Sequence, residues 1–108
     1  MIDLTQIDFA RFESSARDAA RLLKALSNER RLMILCQLGH RELAVGALQP
    51  LVGLSQSALS QHLAVLREEG LVSARREGQT ISYRIADEAT VRVIATLAEI
   101  YCPADPSP

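Results

Sequence analysis

The chain of 108 residues suits one small domain, and 48% hydrophobic residues with only 4% aromatic residues predict an aliphatic core. A net charge of −1 gives no basic excess of the kind that many nucleic-acid-binding domains carry, although eleven of the twelve basic residues are arginine, which contacts phosphate and guanine bidentately. No apolar run approaches the roughly 20 residues of a membrane span and no basic segment opens the chain, so we expect a cytoplasmic protein without a membrane partner.

The first two predicted helices differ in the width of their apolar faces. From about Phe9 to Leu26, apolar residues recur at the helical period in a narrow stripe, which favours packing on another helix, including one from a second subunit. Ser27 and Asn28 can cap a second helix, in which residues 32–38 are apolar almost all round. This helix is therefore predicted to be central and buried, with Cys36 inside it, and to end at Gly39.

A helix-turn-helix is predicted next. Residues 43–52 give a short supporting helix, Gly53 marks the turn, and Ser55 can cap a second helix that ends at Glu69, before Gly70. The leucines of this second helix share one face, and the opposite face is polar but nearly uncharged. Short side chains that both donate and accept hydrogen bonds suit base edges in the major groove. The predicted DNA contacts of this helix are Ser55, Gln56, Ser57, Ser60, Gln61, His62 and Arg67.

A β-hairpin is predicted directly after this helix. Residues 71–76 and 80–85 flank a turn that contains Gly78, and the second strand alternates apolar and polar side chains. A hairpin in this position is typical of a wing, in which side chains near the tip reach phosphates or the minor groove. The side chains predicted to do so are Arg75, Arg76 and Gln79.

The last predicted helix runs from Glu88 to about Tyr101 and can be capped by Asp87. Amphipathic helices at both ends of a small domain favour a homodimer, which would present two reading heads to a palindromic DNA site. The fold class is thus mainly α with a small β-hairpin, in one winged helix-turn-helix domain over residues 1–102. The proline-rich tail at 103–108 is predicted to be disordered.

Two histidines and two cysteines are the soft side chains of the chain. Neither His40 nor His62 has a partner at helical spacing, and zinc needs three or four ligands, so we predict no metal site and no cofactor. Cys36 can be a small core residue, whereas Cys102 lies at a helix end; if the last helix crosses the second, the two sulfurs could meet as a redox pair. No phosphate-binding loop, Ser/His/Asp spacing or Cys-x-x-Cys motif supports an enzyme.

Two segments carry a resemblance to a known family. Leu-Lys-Ala-Leu-Ser-Asn-Glu-Arg-Arg-Leu at 23–32, and Leu-Ser-Gln-Ser-Ala-Leu-Ser-Gln-His-Leu at 54–63 followed by Gly-Leu-Val at 70–72, resemble the ArsR/SmtB family of dimeric winged-helix repressors. The resemblance implies five helices and a two-stranded wing, with the first and last helices forming the dimer. It also implies a repressor that binds double-stranded operator DNA and releases it on sensing an inducer.

The chain departs from the metal-sensing branch of that family. Residues 42–47 read Glu-Leu-Ala-Val-Gly-Ala, without the two thiols of the metal-binding motif, and the last helix lacks the Asp and His ligands of the zinc-type site. The remaining pair, Cys36 and Cys102, resembles the BigR, SqrR and HlyU group, which senses reactive sulfur species or oxidants. This implies that the two thiols become linked within the protomer, by a disulfide or a polysulfide, and that DNA is then released.

Two alternatives stay open at this point. The first is a metal-sensing repressor that uses Cys36, Cys102 and ligands from the partner subunit. The second is an inducer-independent DNA-binding protein, or an anti-repressor that competes for DNA, in which both cysteines are core residues.

Overall fold

The computed structural model describes residues 3–102, so the predicted disordered tail at 103–108 lies outside the described residues. Five α-helices, one short 3-10 turn and one antiparallel sheet make up this part of the chain, as a winged helix-turn-helix. In chain order the elements are the 3-10 turn Leu4–Gln6, α1 (Phe9–Leu26), α2 (Glu29–Leu38), β1 (Leu43–Ala44), α3 (Val45–Val52), α4 (Gln56–Glu68), β2 (Val72–Glu77), β3 (Thr80–Ile85) and α5 (Glu88–Tyr101). None of the helices in residues 3–102 is both long and apolar enough to cross a membrane.

Helices α1, α2, α4 and α5 each begin where a polar side chain binds free backbone N–H groups. Asn28 Oδ1 accepts hydrogen bonds from the backbone N–H groups of Arg30 (2.9 Å) and Arg31 (3.1 Å), which starts α2. Ser55 Oγ accepts one from the backbone N–H of Ala58 (3.2 Å), which starts α4. These caps fix the first residue of each helix and therefore the direction in which its faces point.

The sheet has three strands, so the expectation of a two-stranded wing was wrong. The strand order is β1-β3-β2, and β1 pairs antiparallel with β3 through Leu43 opposite Tyr83 and Ala44 opposite Ser82. The apolar pattern predicts that Leu43 belongs to the supporting helix, but Leu43 lies in β1 and the helix begins at Val45. Two residues are too few to show the alternation of a strand, and their conformation follows from the free edge that β3 offers.

Helix α2 lies at the centre of the hydrophobic core, with Ile34, Leu35 and Leu38 fully buried. The leucines of α4 pack into the same cluster, which anchors that helix by one face and leaves its polar face outward. Burial of α2 is less complete than predicted, because Met33 and Cys36 are exposed. The core is aliphatic, as the composition predicts, and its buried hydrophobic members are Ala25, Leu26, Ile34, Leu35, Leu38, Leu48, Val52, Leu59, Leu63, Leu66, Leu71, Val72, Ile85 and Ile94.

Helix α4 ends in a backbone turn that leads directly into the wing. Gly70 has a φ of +79°, the N–H of Gly70 donates to the Arg67 carbonyl (3.0 Å), and the N–H of Leu71 donates to the Leu66 carbonyl (2.9 Å). This pair of bonds is the Schellman motif, and the buried Leu66 and Leu71 provide the apolar contact that accompanies it. The turn fixes α4, the second helix of the helix-turn-helix, relative to the start of β2.

Replacing Gly70 by Ala should destabilise the fold by about 1 kcal/mol, because a side chain disfavours positive φ even where space is free. A Cβ at Gly70 meets no atom within 4 Å, so the cost comes from the backbone conformation alone. Gly46→Ala is the matched control, because Gly46 lies in α3 with equally open space, and there Ala should stabilise by about 0.5 kcal/mol. Thermal unfolding of both variants at one protein concentration tests this, and equal shifts in Tm would contradict it.

Candidate nucleic-acid interface and thiol pair

The polar face of α4 is open to solvent. Most side chains predicted to read DNA are exposed, whereas His62 is half-buried at the edge of the apolar face. The Ser55 hydroxyl accepts the capping hydrogen bond at the start of α4, and Arg67 lies in the last turn at the opposite end of the helix. The exposed residues of this face are Ser55, Gln56, Ser57, Ser60, Gln61 and Arg67.

The wing ends in a two-residue turn, Gly78 and Gln79, between strands β2 and β3. Gly78 has a φ of +63° and no non-glycine residue among 3–102 has a positive φ, which is the sign pattern of a type II′ hairpin turn. The register places Arg76 opposite Ile81 and Arg75 opposite Ser82. Because successive residues of a strand point to opposite faces, the two wing arginines lie on different sides of the sheet.

Arg76 lies on the face of the wing that is turned towards the helix-turn-helix. Its cross-strand neighbour Ile81 lines a groove of about 440 Å³, together with Gln79 at the wing tip, Gln49 of α3 and Gln56 of α4. The Arg76 Nε donates to the Gly78 carbonyl (3.2 Å), and within residues 3–102 its guanidinium forms no ion pair. The structure thus brings Gln56, Gln79 and Arg76 to one side of the molecule.

Arg75, on the other face, is held by two carboxylates. Its Nη2 lies 2.6 Å from Glu42 Oε1, its Nε donates to both oxygens of Glu42 at 3.2 Å, and its Nη1 lies 2.7 Å from Glu77 Oε2. These hydrogen bonds raise the pKa of Arg75, and in return they hold the pKa of the Glu42 carboxyl below its usual range. Glu42 was not predicted as a functional residue, because its contact with Arg75 depends on the pairing of β1 with β3, which was not predicted either.

The two thiols are carried by helices that pack against each other, α2 and α5. Cys36 lies near the end of α2, and Cys102 is the C-cap of α5, where its N–H donates to the Ala98 carbonyl (2.7 Å). Burial is the first cause that raises the pKa of Cys36, and the nearby charge of the Cys102 thiolate is the second. Both cysteines are free thiols and both are exposed in the protomer. Neither of them is therefore a core residue.

A small apolar cavity of about 190 Å³ adjoins Cys36. Val91, Ala95 and Ala98 line it from α5, at helical spacings that put Cys102 on the same face of the helix one turn further on. His40 lies at its edge, whereas His62 is on the recognition helix. In the described part of the chain no group of three or more His, Cys, Asp or Glu side chains is arranged to hold a metal ion.

Large apolar side chains are exposed on both the first and the last helix. Phe9, Phe12 and Leu23 of α1 are 73%, 54% and 61% exposed, and Tyr101 of α5 is 77% exposed. Exposed apolar groups of this size are typical of surfaces that take part in binding.

Together, the helix-turn-helix, the wing and the polar face of α4 define a DNA-binding transcriptional regulator. The sequence profile described as "Bacterial regulatory protein, arsR family" matches residues 28–74, from the cap of α2 into strand β2. The chain belongs to the ArsR family, whose members are regulators of transcription and not enzymes.

Relatives of known function and solved structures agree with this assignment. The chain is 48% identical over 97 residues to the transcriptional regulator YgaV of Escherichia coli K12, covering 89% of this chain and 98% of YgaV. It is 50% identical over 93 residues to the transcriptional activator HlyU of Vibrio cholerae, covering 86% of each protein.

Among solved structures, the transcriptional repressor BigR of Xylella fastidiosa superposes with a TM-score of 0.84 at 38% identity, covering 89% of this chain and 98% of that one. The homodimeric winged helix-turn-helix DNA-binding domain Mb0332 of Mycobacterium bovis superposes with a TM-score of 0.72 at 40% identity, covering 88% of this chain and 86% of that one.

Alkylation of Cys36 by iodoacetamide should be slower at neutral pH than alkylation of a small free thiol, since burial and the Cys102 thiolate raise the pKa of Cys36 and only the thiolate reacts. The rate should keep rising with pH beyond the range in which the free thiol has levelled off. Cys102→Ser should accelerate the reaction at alkaline pH, because the charge of a second thiolate opposes ionisation of Cys36 only where that thiolate has formed. Peptide mass spectrometry gives the rate at each site, the urea-unfolded protein is the control, and a Cys102→Ser variant that reacts more slowly would contradict this account.

Proposed function

We propose that the protein is a dithiol-based transcriptional repressor, which binds operator DNA when Cys36 and Cys102 are reduced and releases it when they are linked by reactive sulfur species or an oxidant. The observation that carries the proposal is the packing of α2 on α5, which sets Cys36 against the face of α5 on which Cys102 lies one turn further on, with both thiols exposed. Acting on chromosomal DNA, such a repressor works in the cytoplasm.

The proposed DNA-binding surface combines the polar face of α4 with the wing. Hydroxyl and amide side chains can both donate and accept hydrogen bonds, which suits base edges in the major groove, whereas arginine suits phosphates. We assign base contacts to Ser57, Ser60 and Gln61, in the half of α4 nearer its N-terminus, as in other helix-turn-helix proteins. Contacts to the sugar-phosphate backbone or the minor groove are assigned to Ser55, Gln56, His62, Arg67, Arg76 and Gln79.

A homodimer is the proposed assembly. The exposed apolar side chains of α1 and α5, among them Phe9, Phe12 and Tyr101, supply a surface that water solvates poorly and a second copy of the chain can cover. The homodimeric state stated for the Mb0332 domain supports this choice. Two copies would place their α4 helices in successive major grooves, with half-sites about one helical turn apart or a multiple of it.

The proposed sensing reaction needs only the two thiols and a sulfur donor. The thiolate of one cysteine attacks the outer sulfur of a persulfide RSSH, which gives a protein persulfide and releases RS⁻. The thiolate of the other cysteine then attacks the inner sulfur of that group, forming a disulfide and releasing HS⁻. With a peroxide, the first thiolate is oxidised to a sulfenic acid while the peroxide is reduced, and the second thiolate displaces hydroxide to form the same disulfide.

Such a bridge would act on DNA through the dimer. It clamps the end of α2 to the end of α5, next to the apolar surface proposed as the interface, and so alters the spacing of the two α4 helices. A release of about 100-fold corresponds to roughly 2.7 kcal/mol of differential binding, which lies within the usual range of coupling between two sites.

Adding an organic persulfide to the reduced protein on its promoter DNA should raise the Kd for DNA about 100-fold. The protein mass should change at the same time, and the change should map to a link between Cys36 and Cys102. Fluorescence anisotropy and mass spectrometry of the same samples measure both effects. Cys36→Ser and Cys102→Ser should bind DNA as well as the parent protein but should not respond. Release only on addition of zinc or copper would favour a metal sensor instead, and no release by any of these agents would indicate a constitutive DNA-binding protein.

Gln61→Ala should weaken binding to the operator about tenfold while leaving binding to unrelated DNA and the salt dependence unchanged, because it removes a base contact and no charge. Arg76→Gln should weaken binding to both DNAs and reduce the slope of log Kd against log salt by about one per wing. Anisotropy titrations over a series of KCl concentrations distinguish the two. A loss of salt dependence in Gln61→Ala, or none in Arg76→Gln, would contradict these assignments.

A further inference from the structure

The ion pair between Glu42 and Arg75 crosses the sheet. Arg75 lies on β2 opposite Ser82 of β3, and Ala44 of β1 lies on the other side of the same Ser82. Glu42 comes two residues before Ala44, so its side chain reaches over β3 to the guanidinium of Arg75, which it contacts through two nitrogens. Arg75 thereby ties the outer strand of the wing to the segment in front of the helix-turn-helix.

That segment is itself fixed to the end of α2. The backbone N–H of Arg41 donates to the Leu38 carbonyl (2.8 Å), and its Nε donates to the Gln37 carbonyl (3.0 Å). Its Nη2 also donates to the side-chain oxygen of Gln37 (3.3 Å). Glu42 thus projects from a connector that cannot follow the wing freely, and its contact with Arg75 limits the angle of the wing relative to the core.

The charges around Arg75 do not suit a phosphate. Its guanidinium is shared between Glu42 and Glu77, and Glu42 is also close enough to Arg84 for that charge to lower its pKa. A phosphate would have to displace a carboxylate and approach the other one, against the repulsion of like charges. Arg76, on the opposite face, has no such competitor among residues 3–102.

We propose that Arg75 is a positioning residue, which with Glu42 braces the wing against the connector between α2 and β1 so that Arg76 and Gln79 meet the DNA, and that Arg75 does not itself bind phosphate. This inference rests on the proposed role of the wing in DNA binding. Glu42 becomes by the same argument a determinant of DNA affinity, although a carboxylate near DNA is ordinarily unfavourable.

The test compares Glu42→Gln with Glu77→Gln in operator binding. Both changes remove one carboxylate that contacts Arg75, and so change the charge equally, but Glu77 lies on the same strand as Arg75 and cannot brace it against the connector. Glu42→Gln should weaken binding about fivefold, whereas Glu77→Gln should leave it unchanged or tighten it about twofold. Equal effects of the two variants, or tighter binding by Glu42→Gln, would overturn the proposal.

The salt dependence of Arg75→Gln separates bracing from phosphate contact. If Arg75 only braces the wing, Arg75→Gln should bind DNA more weakly but with an unchanged slope of log Kd against log salt. The double variant Arg75→Gln/Glu42→Gln should then bind DNA no more weakly than Arg75→Gln alone. A slope reduced by about one per wing would assign Arg75 to phosphate instead. If Arg76→Gln changes neither the affinity nor the salt slope, the wing does not contact DNA and the proposed DNA-binding surface is wrong. If Arg76→Gln lowers the salt slope but Glu42→Gln and Glu77→Gln change the affinity equally, the surface stands and only the brace is wrong.

Discussion

Burial of one face of α2 is the constraint on which the other parts of the structure depend. Ile34, Leu35 and Leu38 are fully buried, and the helix-turn-helix, the sheet and α5 all pack into the cluster that they form. A close-packed aliphatic core of this kind has little room to deform, so a displacement at one side is passed on rather than absorbed. Cys36 is an exposed residue of this same helix, which connects the thiol pair to the elements that would contact DNA.

The local signals in the sequence were sufficient for most of the fold. The bounds of α1 and α5 and the caps at Asn28, Ser55 and Asp87 follow from side-chain chemistry that acts within a few residues, and the structure confirms them. The recognition helix was predictable for the same reason, since its apolar and polar faces are both strongly marked.

Features that depend on contacts between distant segments were not predictable. The strand β1 forms only because β3 offers it an edge, and the pairing of Arg75 with Glu42 depends on that strand. Cys36 was expected to be buried because its neighbours in sequence are apolar, but an apolar neighbourhood does not specify which face of a helix meets the core. The two wing arginines looked equivalent in the sequence, and strand alternation together with Glu42 makes them different.

Because of the turn at Gly70, a rotation of α4 moves the tip of the wing. Besides the bonds of that turn, the N–H of Ala86 donates to the Leu71 carbonyl (2.9 Å), so both ends of the hairpin are attached at the end of α4 and turn with it. Six residues of β2 extend about 20 Å from this root, so a rotation of α4 by about 10° would move the wing tip by about 3.5 Å. That displacement exceeds the length of a hydrogen bond, so such a rotation of α4 would be enough to break contacts between the wing tip and DNA.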